Sequence, residues 1–147
     1  MTDDPMPVAH VERILPAPPL VVYHEWLDPD ALAEWMCPRP ARPTAIKVDP
    51  HVGGGFRYDI EENGTSFFVT GRYLVLDPPF RLTFTWHCSD WPDGTPESIV
   101  TIRLTPHGND QTVMEIHHSL LPDDPTRHEQ GWARVANQLD TALRSRL

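Results

Sequence analysis

The sequence predicts an α+β domain in which a curved antiparallel sheet wraps one long C-terminal helix. Three observations carry this. From Asp124 to Leu147 apolar residues recur at helical spacing. From Thr44 to Leu121 they recur every second residue, in runs broken by tight turns. Between a first strand and those runs stand two short helical segments.

Val8 to Leu15 reads as the first strand, ended by Pro16-Ala17-Pro18-Pro19. Leu20 to Leu27 follows with Leu20, Tyr23 and Leu27 at helical spacing and Val22 and Trp26 nearby. Asp28 caps and Pro29 opens a second short helix to Met36, with Leu32, Trp35 and Met36 on its apolar side. Thr44 to Asp49 is a strand with Ile46 and Val48 on one face. Gly53-Gly54-Gly55 bends the chain before Phe56 to Glu61, where Phe56, Tyr58 and Ile60 oppose Arg57, Asp59 and Glu61. Asn63-Gly64 is a hairpin turn. Phe67 to Leu76 is apolar on both faces, as an interior strand is.

After Asp77-Pro78-Pro79, Arg81 to Cys88 sets Leu82, Phe84, Trp86 and Cys88 against Arg81, Thr83, Thr85 and His87. Ser89 to Pro96 is a polar loop with Trp91 at its crest. Ser98 to Thr105 turns Val100, Ile102 and Leu104 inward, Pro106 to Asp110 is a turn, and Thr112 to Leu121 places Met114, Ile116, His118 and Leu120 on one face. Short turns require antiparallel pairing. The last helix starts at Asp124-Pro125 and gathers Trp132, Val135, Ala136, Leu139, Ala142, Leu143 and Leu147 on one stripe. At roughly 30 Å it is long enough to fill the hollow of such a sheet.

Composition narrows the function classes. The 147 residues suit one domain spanning 1–147, with residues 1–7, acidic and proline-rich, expected to be flexible. No apolar run is long enough to span a membrane, and the start lacks the pattern of a secretory signal, so the expected location is cytoplasmic. With 12 basic and 21 acidic residues the net charge is −9, which argues against nucleic-acid partners. The cysteines, Cys37 and Cys88, form no CxxC pair and read as two packed thiols, with a disulfide the lesser alternative.

The chain also resembles a known family. Arg13, Ala17-Pro18 and Val22-Tyr23 are followed by Asp28-Pro29, Leu32 and Trp35. Then come Asp49 with Gly53-Gly54 and Phe56-Arg57, His118-Ser119 with Leu121-Pro122, and Gly131-Trp132 with Leu139. In this order and at these intervals they are similar to the activator of heat-shock protein 90 ATPase homologue-like family of the START/Bet v 1-like superfamily. The resemblance implies the helix-grip fold and a chain that holds apolar ligands or partner proteins. It transfers no reaction, because one fold hosts many functions. Met36 stands where a second Trp is common. Ala136 stands where Leu is usual, and is expected to enlarge the pocket.

The residues expected to meet a ligand are Trp35, Phe56, Tyr58, Phe84, Trp86, Ile102, Met114, Ile116 and His118 facing Trp132, Val135, Ala136 and Leu139. The plain reading of these rings is core filling. His118 is the candidate for chemistry. Its plain reading is a core histidine satisfied by Tyr58 or a carbonyl; its functional reading is a ligand anchor or a general acid/base. Acid/base work needs a carboxylate nearby, and Asp59, Glu61 and Glu115 fall on the outer face by alternation.

The eight histidines show no HxxxH or HExxH spacing, and His117 and His118 point to opposite faces, so neither metal nor cofactor is expected. The preferred function is a noncatalytic module, monomeric or homodimeric, binding a small apolar or amphipathic molecule. The alternatives are a cyclase- or dehydratase-type enzyme using His118, and a protein-interaction domain acting on a chaperone ATPase.

Overall fold

In the computed structural model, which describes residues 8–147, all strands join one seven-stranded antiparallel sheet in the order β1-β7-β6-β5-β4-β3-β2. The expectation for residues 1–7 lies outside the described residues. The strands are β1 (Ala9–Leu15), β2 (Arg42–Val48), β3 (Gly55–Glu62), β4 (Thr65–Asp77), β5 (Arg81–Cys88), β6 (Ser98–His107) and β7 (Gln111–Ser119). The helices are α1 (Pro19–Glu25), α2 (Pro29–Trp35) and α3 (Pro125–Ser145). The architecture is the antiparallel sheet with a long terminal helix that the alternation and the terminal stripe predict, and the helix-grip fold that the family resemblance implies. β1 and β2 are the two edges, and α1 and α2 carry the chain from one edge to the other.

The helix starts follow from their caps. The Asp28 carboxylate accepts from Asp30 N at 3.0 Å, and the Asp124 carboxylate from Thr126 N at 2.9 Å. α3 buries Trp132, Val135, Ala136, Leu139, Ala142 and Leu143 in the same cluster as Phe84, Ile102 and Met114. Leu147, expected on that stripe, is 86% exposed because α3 ends at Ser145 and Leu147 stands past its last turn, off the helical stripe. In α1 the buried positions are Val22, Tyr23 and Glu25, with Trp26 just past the helix. Tyr23 is buried and Leu27 packs against the core as the spacing predicts, but Leu20 is 51% exposed, and Val22 takes the inner position in its place. At the end of β7, Leu120 takes a positive φ of 58° and turns outward, breaking the alternation that predicted it inside.

Polar ties fix α3 against the sheet edge and the loop after α2. Arg13 on β1 donates to Asp140 Oδ2 at 2.6 Å and Asn137 Oδ1 at 3.1 Å, and Asp140, itself buried, also accepts from Arg144 at 3.0 Å. Gln138 Nε2 donates to the carbonyls of Trp35 and Cys37 at 2.9 and 2.8 Å, while its Oε1 accepts from Arg39 N at 3.0 Å. Gln138 falls on the polar side of the helical wheel, yet it bonds the loop between α2 and β2. Gly71 on β4 pairs with Phe56 on β3, and the Phe56 ring occupies the space a side chain would take.

Thr83 and Thr85, outward by alternation, are nonetheless buried. Thr85 Oγ1 accepts from Arg72 N at 2.9 Å, and Thr83 bonds Thr101 across β5 and β6 at 3.2 Å. Among the described residues no helix is long and apolar enough to cross a membrane.

Candidate functional site

A pocket of about 470 Å³ opens at the N-terminal end of α3. Four elements build it. The loop after α2 contributes Met36, Cys37, Pro38 and Ala41. The β3–β4 hairpin contributes Ile60, Glu62, Phe67 and Val69. The end of β5 and the loop after it contribute Trp86, Cys88, Asp90, Trp91 and Pro92. The helix side contributes Asp123, Arg127, His128, Gly131, Trp132 and Val135, with His118 at the back. The floor is aromatic and aliphatic, and the charged groups gather at the rim.

Of the residues expected at the site, Trp86, His118, Trp132 and Val135 are brought together on the pocket wall. Trp35, Phe56, Tyr58, Phe84, Ile102, Met114, Ile116, Ala136 and Leu139 belong instead to the packed core behind it. Their rings interlock: Trp26 meets Trp35 at 4.9 Å and Phe56 meets Tyr58 at 4.7 Å between centroids. Ala136 is buried in this cluster, so its small size shapes the core rather than the pocket. Met36, the other departure from the family pattern, does reach the wall.

His118 is the best determined polar group in the site. It has no exposed surface, although it backs the pocket. Trp132 Nε1 donates to its Nδ1 at 3.0 Å, which places the ring proton on Nε2. Nε2 then donates to Ser98 Oγ at 2.7 Å, and the Ser98 hydroxyl donates in turn to the Trp86 carbonyl at 2.7 Å. The partners are therefore Ser98 and Trp132, not Tyr58. Burial, and secondarily the nearby His128, push His118 down to about 3. A ring with both nitrogens engaged and held neutral is a poor proton shuttle at neutral pH. No carboxylate bonds to it.

The two thiols face the same pocket and are free. Burial pushes Cys37 up to about 12, with Arg39 opposing. Burial followed by the hydrogen bond to Asp90, 2.6 Å away, pushes Cys88 up to about 12. Both remain thiols at neutral pH and are not poised as nucleophiles. At the rim His128 Nε2 lies 2.8 Å from Asp123 Oδ1, so Glu62 and Asp90 are the carboxylates facing the opening without a histidine partner, opposed by Arg127. Sequence reasoning missed Cys37, Cys88, Asp90, Arg127 and His128, which meet only after folding. The one local signal was Trp91, alone at the crest of a polar loop.

The comparisons with known proteins match this architecture. The sequence fits the model of the "Activator of Hsp90 ATPase homolog 1-like protein" family over residues 16–144. The chain belongs to this family. AHSA1-like chains share the SRPBCC, Bet v 1-like fold, and the solved structures agree. Protein CV1439 from Chromobacterium violaceum superposes with a TM-score of 0.82 at 29% identity, covering 92% of this chain and 96% of that one. The AHSA1 protein from Silicibacter pomeroyi gives 0.83 at 23% identity, covering 95% and 99%. The AHSA1-like protein from Aeromonas hydrophila gives 0.75 at 20% identity, covering 92% of each. No curated protein matches the sequence. At these identities the last two comparisons speak for the fold alone.

Proposed function

We propose that this AHSA1-like chain is a noncatalytic binding module whose pocket at the N-terminal end of α3 takes a small amphipathic molecule. The observation that carries the reading is the pocket's division of labour. Its interior is walled by Trp86, Trp132, Val135, Ile60 and Val69, and its rim holds Glu62, Asp90 and Arg127. An apolar body fits the interior, and a head group that donates hydrogen bonds fits the carboxylates at the rim. Burying about 300 Å² of apolar ligand surface at roughly 25 cal/mol/Å² supplies about 7 kcal/mol before association costs, which supports modest affinity. The locked neutral state of His118 and the protonated thiols argue against the cyclase- or dehydratase-type alternative.

Native mass spectrometry of the protein purified from its own host tests the reading. A retained molecule in one-to-one ratio, lost on denaturation, is the expected result. Turnover of a substrate that collapses in His118→Ala would replace this reading with the enzyme one. Family membership supports a second reading, action on a chaperone ATPase. It predicts that the chain changes Hsp90 ATP turnover, and an unchanged rate would remove it.

A further inference from the structure

A second polar cluster lies on the opposite face of the sheet, at its β1 edge. His10 on β1 and His117 on β7 are directly opposite in the strand pairing. Their rings stack with centroids 4.4 Å apart and planes 27° from parallel. Glu115, two residues before His117 on the same face, brings Oε1 to 3.8 Å from His10 Nε2. One donor atom from each of the three lies within 4.8 Å of the other two. We propose that His10, Glu115 and His117 form a surface site for a borderline divalent transition ion, zinc in the first instance, with the remaining coordination position open to water.

The donor set selects the ion. Two imidazoles and one carboxylate suit zinc, copper or nickel, whereas calcium and magnesium require more oxygen ligands than this surface offers. Zinc bonds of roughly 2.0–2.2 Å in a tetrahedral site put neighbouring donors about 3.3–3.6 Å apart. Donor atoms that now lie within 4.8 Å of one another must draw together by up to about 1.5 Å to reach that spacing. The backbone beneath is already held: β1 pairs with β7 along its whole length, and His10 N donates to Glu129 Oε1 on α3 at 3.1 Å.

Charge points the same way. Glu12 stands directly across from Glu115, a like-charge pair that a cation beside Glu115 relieves. Arg103 stands across from Glu115 on β6, and its charge opposes that of a bound cation. This site is separate from the pocket, because β7 sends His117 to one face and His118 to the other.

The test is calorimetric titration of the tag-free full chain with zinc chloride at neutral pH, with histidine ring signals followed by NMR. A single equivalent binds. It moves the His10 and His117 signals and leaves His118 unchanged. His117→Gln weakens binding by more than about tenfold, the loss that removing only an outer-shell partner already causes. His10→Gln, at an exposed position that tolerates change, does the same. A variant with Cys37→Ser and Cys88→Ser binds like the parent, which separates this site from the pocket thiols. Absence of saturable binding, or binding that survives both histidine substitutions, overturns the proposal.

Discussion

His118 couples the pocket wall to pH. In the folded chain it is neutral, because its Nδ1 accepts from Trp132 and burial disfavours a charge. In the unfolded chain it takes up a proton as pH falls through histidine's ordinary 6.5. The unfolded state therefore binds more protons below that value, and stability drops with pH. The contribution is whole above 6.5 and is lost progressively as pH falls toward about 3. Linkage over this range gives a loss of roughly 2 kcal/mol between about pH 7 and pH 5 from this residue alone. Urea unfolding at several pH values measures it, with His118→Gln as the comparison. The variant starts less stable, since Trp132 and Ser98 lose their partner. It should also lose about 2 kcal/mol less than the parent over the same interval. Parallel pH dependences in the two proteins would refute the claim that the ring is neutral and locked.

Other substitutions probe the scaffold and the pocket. Gly71→Ala should destabilise by about 1–3 kcal/mol, because a β-carbon there overlaps the Thr85 carbonyl and the Phe56 ring; thermal melting checks it. Arg13→Ala should cost about 2 kcal/mol in urea unfolding, below the roughly 3–5 kcal/mol of a fully broken buried pair, because Arg144 still reaches Asp140. Gly131→Ala should stabilise by about 0.5–1 kcal/mol in the same assay, since its β-carbon would meet only the Pro38 side chain at 3.8 Å and α3 gains a better helix former.

The fold was legible where one surface buries a regular pattern. Phe84, Ile102, Met114 and Leu139 follow from period alone, because a packed face tolerates no exceptions. The pattern failed at Leu147, past the last helical turn, at Leu120, where the backbone leaves the strand, and at Leu20, in the first turn of α1. All three stand at element ends, where no neighbour enforces the period.

The site was harder to read. Trp86 and Trp132 reach the pocket wall because aromatic residues on inward faces converge in this fold. Cys37, Cys88 and His128 come from three separate loops and element ends whose meeting depends on tertiary packing. Gln138 illustrates the same limit: a polar residue on the outer side of the helical wheel closes the loop that forms the pocket rim. The pairing of His10 with His117 depends on strand register between the first and last strands, which spacing along the chain does not encode.

Nile red, a neutral apolar dye, titrated into the parent and into Gly131→Leu decides whether the hollow at the start of α3 receives ligand. A β-carbon at Gly131 would lie 3.8 Å from the Pro38 side chain, and both residues line the pocket, so a leucine there takes up pocket space. The parent should bind one dye saturably, and the variant, shown by thermal melting to be folded, should bind it at least about tenfold more weakly, a difference of roughly 1.4 kcal/mol. Equal binding by both proteins would contradict the account.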